Sequence, residues 1–213
     1  MRLLLIRHAE TTWNALGRIQ GASDPPLSDL GREQAARLGA RLGHVPLTGV
    51  YSSDLSRARE TAAEITSRQA HGRPGRALPG LGEVGLGEWE GRNREELAAG
   101  WPKEYARWVN APSWDIPPGG EGVAAFSARF DAAIAEVLSA EPPDGVVAVV
   151  THIGCIRLAL GRIFGLPVHG AWLVQNTSIS TIDVPTGERL ARSPLLTVLG
   201  VNDAAHLSDG AGW

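Results

Sequence analysis

Leu3 to Ile6 are four consecutive aliphatic residues that stop abruptly at Arg7-His8. No polar residue alternates with them, so a strand here must be covered on both faces. Val146 to Val150 repeats the pattern and stops at Thr151-His152. Two such runs point to a parallel sheet buried between layers of helices rather than a half-solvated antiparallel sheet. Gly49-Val50-Tyr51-Ser52 is a third strand candidate.

The segments between these runs have helical spacing. Ser28 can cap a helix that reaches about Leu42, with Ala35, Leu38 and Leu42 on one face. Ser53 or Asp54 can cap the next, where Leu55, Ala58, Ala62 and Ile65 repeat. Val123, Phe126, Phe130, Ile134, Val137 and Leu138 form the clearest apolar stripe, and Ile156, Leu160 and Ile163 mark a helix after the Val146 run. Beyond Pro167, Ser178 to Val184 and about Arg189 to Leu199 read as strands joined by Pro185-Thr186-Gly187-Glu188. The tail after Val201 is polar and is expected to fray. Residues 84–120 are rich in Gly, Pro and Trp and hold Trp89, Trp101, Trp108 and Trp114. They are expected to form a small cap-like insertion, with short helices at most and most tryptophans packing the cap. An apolar wall for a substrate is the other use for those rings. The expected architecture is one domain over residues 1–213, a three-layer α/β/α sandwich with a mostly parallel central sheet.

The chain has 213 residues, 43% hydrophobic and 20% charged, with a net charge of -3. That balance gives no field for nucleic acid or an anionic membrane, so neither is expected as a partner. No apolar run approaches the ~20 residues that span a bilayer. The N-terminal run is too short for a secretory leader, so a cytoplasmic location is expected. Cys155 is the single cysteine. It excludes an internal disulfide, and its apolar neighbours Ile153 and Ile156 give it a packing role at a buried helix start.

Three basic groups follow the candidate strands: Arg7-His8, then Arg57 and Arg59, then His152. In a parallel sheet they converge on one edge, and two arginines with two histidines there suit a dense anion such as a phosphoryl group. Arg57 is placed to reach the pocket, whereas Arg59 belongs on a solvated helix face. His44, His71, His169 and His206 have no motif around them and are expected at the surface.

Arg7-His8-Ala9-Glu10-Thr11-Thr12-Trp13-Asn14 resembles the R-H-G-E-T-x-W-N signature of the histidine phosphatase superfamily. Further blocks follow in the family's order: Arg18-x-Gln20-Gly21, Leu27-Ser28 to Ala35, Ser52-Ser53-Asp54-Leu55-x-Arg57-Ala58, and Leu81-x-Glu83 to Gly91. Gly119-Gly120-Glu121 and Thr151-His152 complete a likeness over about residues 2 to 165. The resemblance implies a phosphoglycerate mutase-like fold and a metal-independent reaction with no cofactor. It implies that His8 attacks phosphorus and becomes a phosphohistidine, while Arg7, Arg57 and His152 hold the phosphoryl oxygens. Asn14 would add a neutral donor, and Glu83 would protonate the leaving oxygen and then activate water. Gln20 and Gly21 either contact the substrate or shape a loop. Glu88 and Glu90 are left as surface or structural groups, and Glu121 is expected to cap the helix that follows it.

Two residues depart from the family pattern: Ala9 and Ile153 stand where glycine is usual. Ala9 is tolerable if its φ is negative, whereas Ile153 puts bulk beside the pocket. The segment after Glu83, Val84-Gly85-Leu86-Gly87, lacks the Arg-x-Tyr-Gly that resembles a mutase. The likeness is therefore to the phosphatase branch, acting on a small phosphate ester. A cofactor-dependent phosphoglycerate mutase and a non-catalytic phospho-ligand binder are the alternatives. Asn202-Asp203-Ala204-Ala205-His206-Leu207 resembles a tail of bacterial members, with no chemistry attached. The edge offered by the strands after Ser178 is a candidate surface for a homodimer.

Overall fold

The computed structural model describes residues 1–70, 74–110, 116–166, 173–186 and 196–208. In chain order the elements are β1 (Arg2–Arg7), α1 (Thr12–Ala15), α2 (Asp29–Leu42), β2 (Gly49–Ser52), α3 (Ser56–Thr66) and β3 (Arg76–Ala77). There follow α4 (Arg94–Gly100), α5 (Pro102–Asn110), α6 (Val123–Ala140), β4 (Val146–Thr151), α7 (Ile153–Phe164), β5 (Ile179–Asp183) and β6 (Thr197–Asp203). The six strands form one sheet in the order β3-β2-β4-β1-β5-β6. The first four are mutually parallel, and β5 and β6 run antiparallel to their neighbours.

The aliphatic runs behave as their lack of alternation requires. Leu3 and Leu5 of β1 join Val147 and Val149 of β4 in a core shared with Phe126 and Phe130 of α6 and Ile156 and Leu160 of α7. Leu4 and Ile6 face the other way, with Ala148 and Val150, onto Leu38 of α2 and Ala58 and Ile65 of α3. The result is a three-layer α/β/α sandwich with a mostly parallel central sheet. Each fully buried aliphatic side chain in it is worth ~1.5–3 kcal/mol relative to exposure.

The β1–β4 register sets Arg7 level with Thr151, and the His8 N–H extends the ladder to the Thr151 carbonyl at 2.9 Å. Two adjacent strands thus end together on Arg7-His8 and Thr151-His152. From these ends β1 leads to α2 on one face and β4 leads to α7 on the other. That divergence opens a crevice at the carboxyl ends of the strands, where open α/β sheets bind ligands.

Several local expectations are corrected. Helix α3 is not capped by Ser53 or Asp54: Leu55 is its N-cap, without a side-chain cap bond. The Ser53 hydroxyl is spent one residue early, accepting from the Leu55 N–H at 3.2 Å. Residues 187–195, which include most of the strand expected over 189–199, lie outside the described residues. Strand β6 runs on to Asp203 and a short 3-10 turn follows at Ala205–Leu207, so the part of the tail up to Ser208 is structured where fraying was expected, and residues 209–213 lie outside the described residues. The Trp-rich stretch holds α4, opened by a capping box between Asn93 and Glu96, and α5, opened by Pro102. Trp89 is fully buried and meets Trp108 edge-to-face at 5.6 Å, while Tyr105 stacks on Trp108 at 6.2 Å. Trp114 lies outside the described residues.

Candidate active site

A cavity of about 270 Å³ opens over the ends of β1 and β4. Of the residues singled out from sequence, Arg7, His8, Asn14, Gln20, Gly21, Arg57 and Glu83 line it. His152 lies behind that wall: fully buried, its ring centroid is 5.1 Å from that of His8.

His8 is 3% exposed, and its Nδ1 lies 2.7 Å from the Ala9 carbonyl oxygen. A carbonyl can only accept, so Nδ1 carries the proton and Nε2 holds a lone pair. Burial, with Arg57 and Arg7 nearby, holds this imidazole well below its ordinary value, so it stays neutral. The Ala9 backbone supplies that acceptor while its N–H donates to Thr61 Oγ1 at 3.0 Å. Ala9 is not among the described non-glycine residues with positive φ, so the methyl in place of glycine costs no backbone strain. Burial, with Arg57, His8, Arg7 and Arg129 nearby, also holds His152 far below its ordinary value. Neither of its ring nitrogens has a hydrogen-bond partner among the described residues.

The two arginines are fixed from opposite sides. Arg7 Nη1 donates to the Val174 carbonyl at 2.7 Å, and burial lowers the group to about 10, which leaves it charged near neutrality. Arg57 is fully buried in the first turn of α3, and donates to the carbonyls of Ser23 at 2.6 Å and Gly21 at 2.9 Å. Asp24 lies 3.5 Å away as its ion-pair partner. Gly21 can serve here because φ is +53°, and a Cβ would come within 2.2 Å of Glu90 Oε1. Glu90 closes that loop, accepting from the N–H groups of Ala22 and Ser23 and from Leu86 N–H, each at 2.9 Å. It is therefore structural, as one of its two expected uses allowed. Arg59 and Glu88 are exposed, as expected.

Glu83 sits on the loop after a 3-10 turn at Pro79–Leu81. Its Oε1 accepts from Val84 N–H at 3.0 Å and its Oε2 from Gly154 N–H, in the first turn of α7, at 3.1 Å. Burial raises its pKa above the ordinary carboxylate value, while those two N–H donors, Arg57 and Arg7 pull the other way. A carboxyl poised between these effects can both give and take a proton. Its loop is held by Arg129 of α6, which donates to the carbonyls of Gly80 at 3.1 Å, Gly82 at 2.7 Å and Glu83 at 2.7 Å. The same guanidinium grips Glu121 at 2.5 and 2.8 Å, and Glu121 accepts from Gly85 N–H at 3.2 Å. Glu121 was expected to cap α6. Gly122 is the N-cap instead, and the Glu121 carboxylate turns to Arg129.

Asn14 serves a turn and the cavity at once: it completes a capping box with Thr11 and lines the wall. Gln20 accepts from Thr11 Oγ1 at 3.0 Å. Trp108 lines the cavity wall as well as packing the cap, so it takes up both uses expected of the tryptophans, whereas Arg18, Arg94 and Arg157 on that wall were given no role from the sequence. Arg157 was findable, since it lies three and four residues beyond Gly154 and Ile153 on one face of α7. Ile153 opens α7 in helical conformation and lines the wall, so its bulk narrows the site without distorting it. Asn176 gave no sequence signal; its Nδ2 donates to the His8 carbonyl at 2.9 Å. His206, expected at the surface, is half-buried and hydrogen-bonded to Thr177 at 3.0 Å. His44 is exposed, and His71 and His169 lie outside the described residues. Cys155 is buried in α7 and packs against the acid loop, with its Sγ 3.2 Å from the Gly82 carbonyl. Among the described residues no three His, Cys, Asp or Glu side chains cluster as metal ligands, and no helix is long and apolar enough to cross a membrane.

Residues 3–193 match the family described as the histidine phosphatase superfamily, branch 1. The chain is 36% identical over 173 residues to an adenosylcobalamin/alpha-ribazole phosphatase of Escherichia coli, covering 81% of this chain and 83% of the relative. It is 35% identical over 216 residues to the protein named probable phosphoglycerate mutase GpmB of Escherichia fergusonii, covering 97% and 95%. Among solved structures, a mycobacterial glucosyl-3-phosphoglycerate phosphatase complexed with VO3 superposes with a TM-score of 0.81 at 30% identity, covering 94% and 98%.

Proposed function

The chain belongs to branch 1 of the histidine phosphatase superfamily and is a phosphatase, and from that premise we propose that it hydrolyses a small phosphate monoester through a phosphohistidine on His8. One observation carries this reading: the 2.7 Å contact between Nδ1 and the Ala9 carbonyl leaves the lone pair on Nε2, in a ring that lines the cavity. Nε2 forms a bond to phosphorus as the ester P–O bond breaks, and Glu83 gives its proton to the departing oxygen. Arg7 and Arg57 face the phosphoryl oxygens, and His152, whose ring nitrogens find no partner among the described residues, supplies a further donor. These groups offset charge as it spreads over those oxygens, which is most of what phosphoryl transfer requires of a protein. Asn14, with its Oδ1 accepting from Thr11, turns its amide toward the same oxygens, and Gln20 and Gly21 close that side of the site. In the second half Glu83, now a carboxylate, takes a proton from water. The water oxygen bonds to phosphorus, the N–P bond breaks, and phosphate leaves with His8 neutral again.

A second reading returns the phosphoryl group to a substrate hydroxyl, as in a mutase. It is favoured by Arg18, Arg94 and Arg157 on the cavity wall, which can hold a second anionic group. A panel of phosphate esters separates the two. Release of inorganic phosphate that is abolished by His8→Ala supports the phosphatase. Bisphosphoglycerate-dependent exchange between 2- and 3-phosphoglycerate with little free phosphate supports the mutase. No turnover of any ester by the wild type leaves a phospho-ligand binder and overturns both.

A further inference from the structure

The segment Asn202 to Leu207 lies outside the catalytic groups, yet it is bonded to the segment behind the nucleophile. Asn202 adopts the left-handed region at φ 56°, unusual without glycine, and its Oδ1 accepts from the Gln175 N–H at 2.6 Å. Asp203 pairs with Arg41 of α2 and accepts from the Ala205 N–H at 3.1 Å, which turns the chain so that His206 points back. Arg41 Nη1 lies 3.2 Å from His206 Nδ1. A guanidinium can only donate, so Nδ1 is the acceptor and the ring proton sits on Nε2. Nε2 then donates to Thr177 Oγ1 at 3.0 Å.

Thr177 is buried and also left-handed, at φ 58°. For a β-branched residue that conformation is strained and persists only where its surroundings hold it. What it gains is direction. Its N–H donates to the Arg7 carbonyl at 3.0 Å and approaches the His8 carbonyl at 3.4 Å, while Asn176 Nδ2 donates to the His8 carbonyl at 2.9 Å. A continuous hydrogen-bonded path thus runs from α2 through Arg41, His206 and Thr177 to the backbone of Arg7 and His8.

We propose that His206 is a positioning residue, the pin of a C-terminal latch that holds Thr177 in its strained conformation and fixes the line along which His8 Nε2 meets phosphorus. The proposal rests on His8 being the nucleophile. It assigns no contact between His206 and the substrate. Displacing the His8 backbone by ~1 Å is enough to cost a reaction of this kind ~100-fold in rate.

The test is single-turnover phosphorylation by excess enzyme with 4-nitrophenyl phosphate, quenched into alkali, with inorganic phosphate affinity measured beside it. His206→Leu removes the donor, His206→Gln restores an N–H near the same place, and Thr177→Val removes the acceptor from the other side. The latch predicts that His206→Leu and Thr177→Val each slow phosphohistidine formation about tenfold or more, while phosphate affinity stays within about twofold. It predicts that His206→Gln recovers most of the rate and that the Leu/Val double variant is no slower than either single one. Phosphorylation within about twofold of wild type in either single variant overturns the latch, as does failure of His206→Gln to recover any rate. So does a loss of phosphate affinity that matches the loss of rate. If the wild type forms no phosphohistidine, the reading of His8 itself fails, and the latch with it.

Discussion

At His8, a bond to the carbonyl of the next residue decides which nitrogen keeps its lone pair. The ionisable groups around the ring differ in protonation state: Arg7 and Arg57 stay charged, His152 stays neutral, and Glu83 is raised toward the neutral form. Glu83→Gln keeps the shape and removes the exchangeable proton. Its phosphorylation rate should fall ~10²–10⁴-fold with an alkyl phosphate, whose leaving oxygen needs a proton, and far less with 4-nitrophenyl phosphate. Equal losses on both esters would remove Glu83 from the acid role. Arg57→Lys keeps a charge but cannot bond Gly21 and Ser23 together while facing phosphate. A drop in kcat/KM of ~10²–10³-fold is expected, read from steady-state kinetics, and a near-wild-type value would contradict the fork geometry. That His8, Arg57 and Glu83 share one cavity was legible because each stands in a block of the family pattern. His206 was not. Its partners Thr177 and Arg41 are 29 and 165 positions away, and no local pattern encodes such a contact.

At the scale of elements, strand ends and one helix side chain do the positioning. The aliphatic runs of β1 and β4 could be read directly because a strand covered on both faces leaves no polar residue among its buried positions. Caps were harder. Ser53 and Glu121 both stand where a helix start wants an acceptor, and both are drawn off, Ser53 to Leu55 N–H and Glu121 to Arg129. Arg129 is the element-level counterpart of Glu83, since α6 reaches through it to three carbonyls of the acid loop. Arg129→Met should therefore destabilise the fold by ~1.5–3 kcal/mol in urea unfolding, with Glu121 left unpaired. It should also slow the reaction with an alkyl phosphate more than with 4-nitrophenyl phosphate, following the pattern of Glu83→Gln. A variant with wild-type stability and wild-type leaving-group dependence would mean that the acid loop holds itself.

For the molecule as a whole, the buried histidines link folding to pH. Burial, with Arg57 nearby, keeps His8 and His152 well below 6.5, and burial beside Arg41 puts His206 at about 4. In the unfolded chain each titrates near ~6.5. As pH falls below that value the unfolded state takes up protons that the native state refuses. Stability is then lost toward acid, by up to about 1.4 kcal/mol per pH unit for each histidine. Glu83 opposes this: its raised value means that the native carboxyl keeps a proton the unfolded chain has lost, so its contribution is present at the acid end and disappears as pH rises through the folded value. Three groups outweigh one, so urea midpoints should fall steadily below pH ~6.5, and His206→Gln should flatten the slope by about one proton. A midpoint that does not change over that range would contradict the burial of neutral histidines. The central claim is tested most directly by trapping the enzyme during turnover in alkali and mapping the phosphoryl group by peptide mass spectrometry. An acid-labile phosphoryl group on His8, absent in His8→Ala, is the predicted result. Phosphate release by the wild type with no phosphoryl group on His8, or with one on another residue, would contradict it.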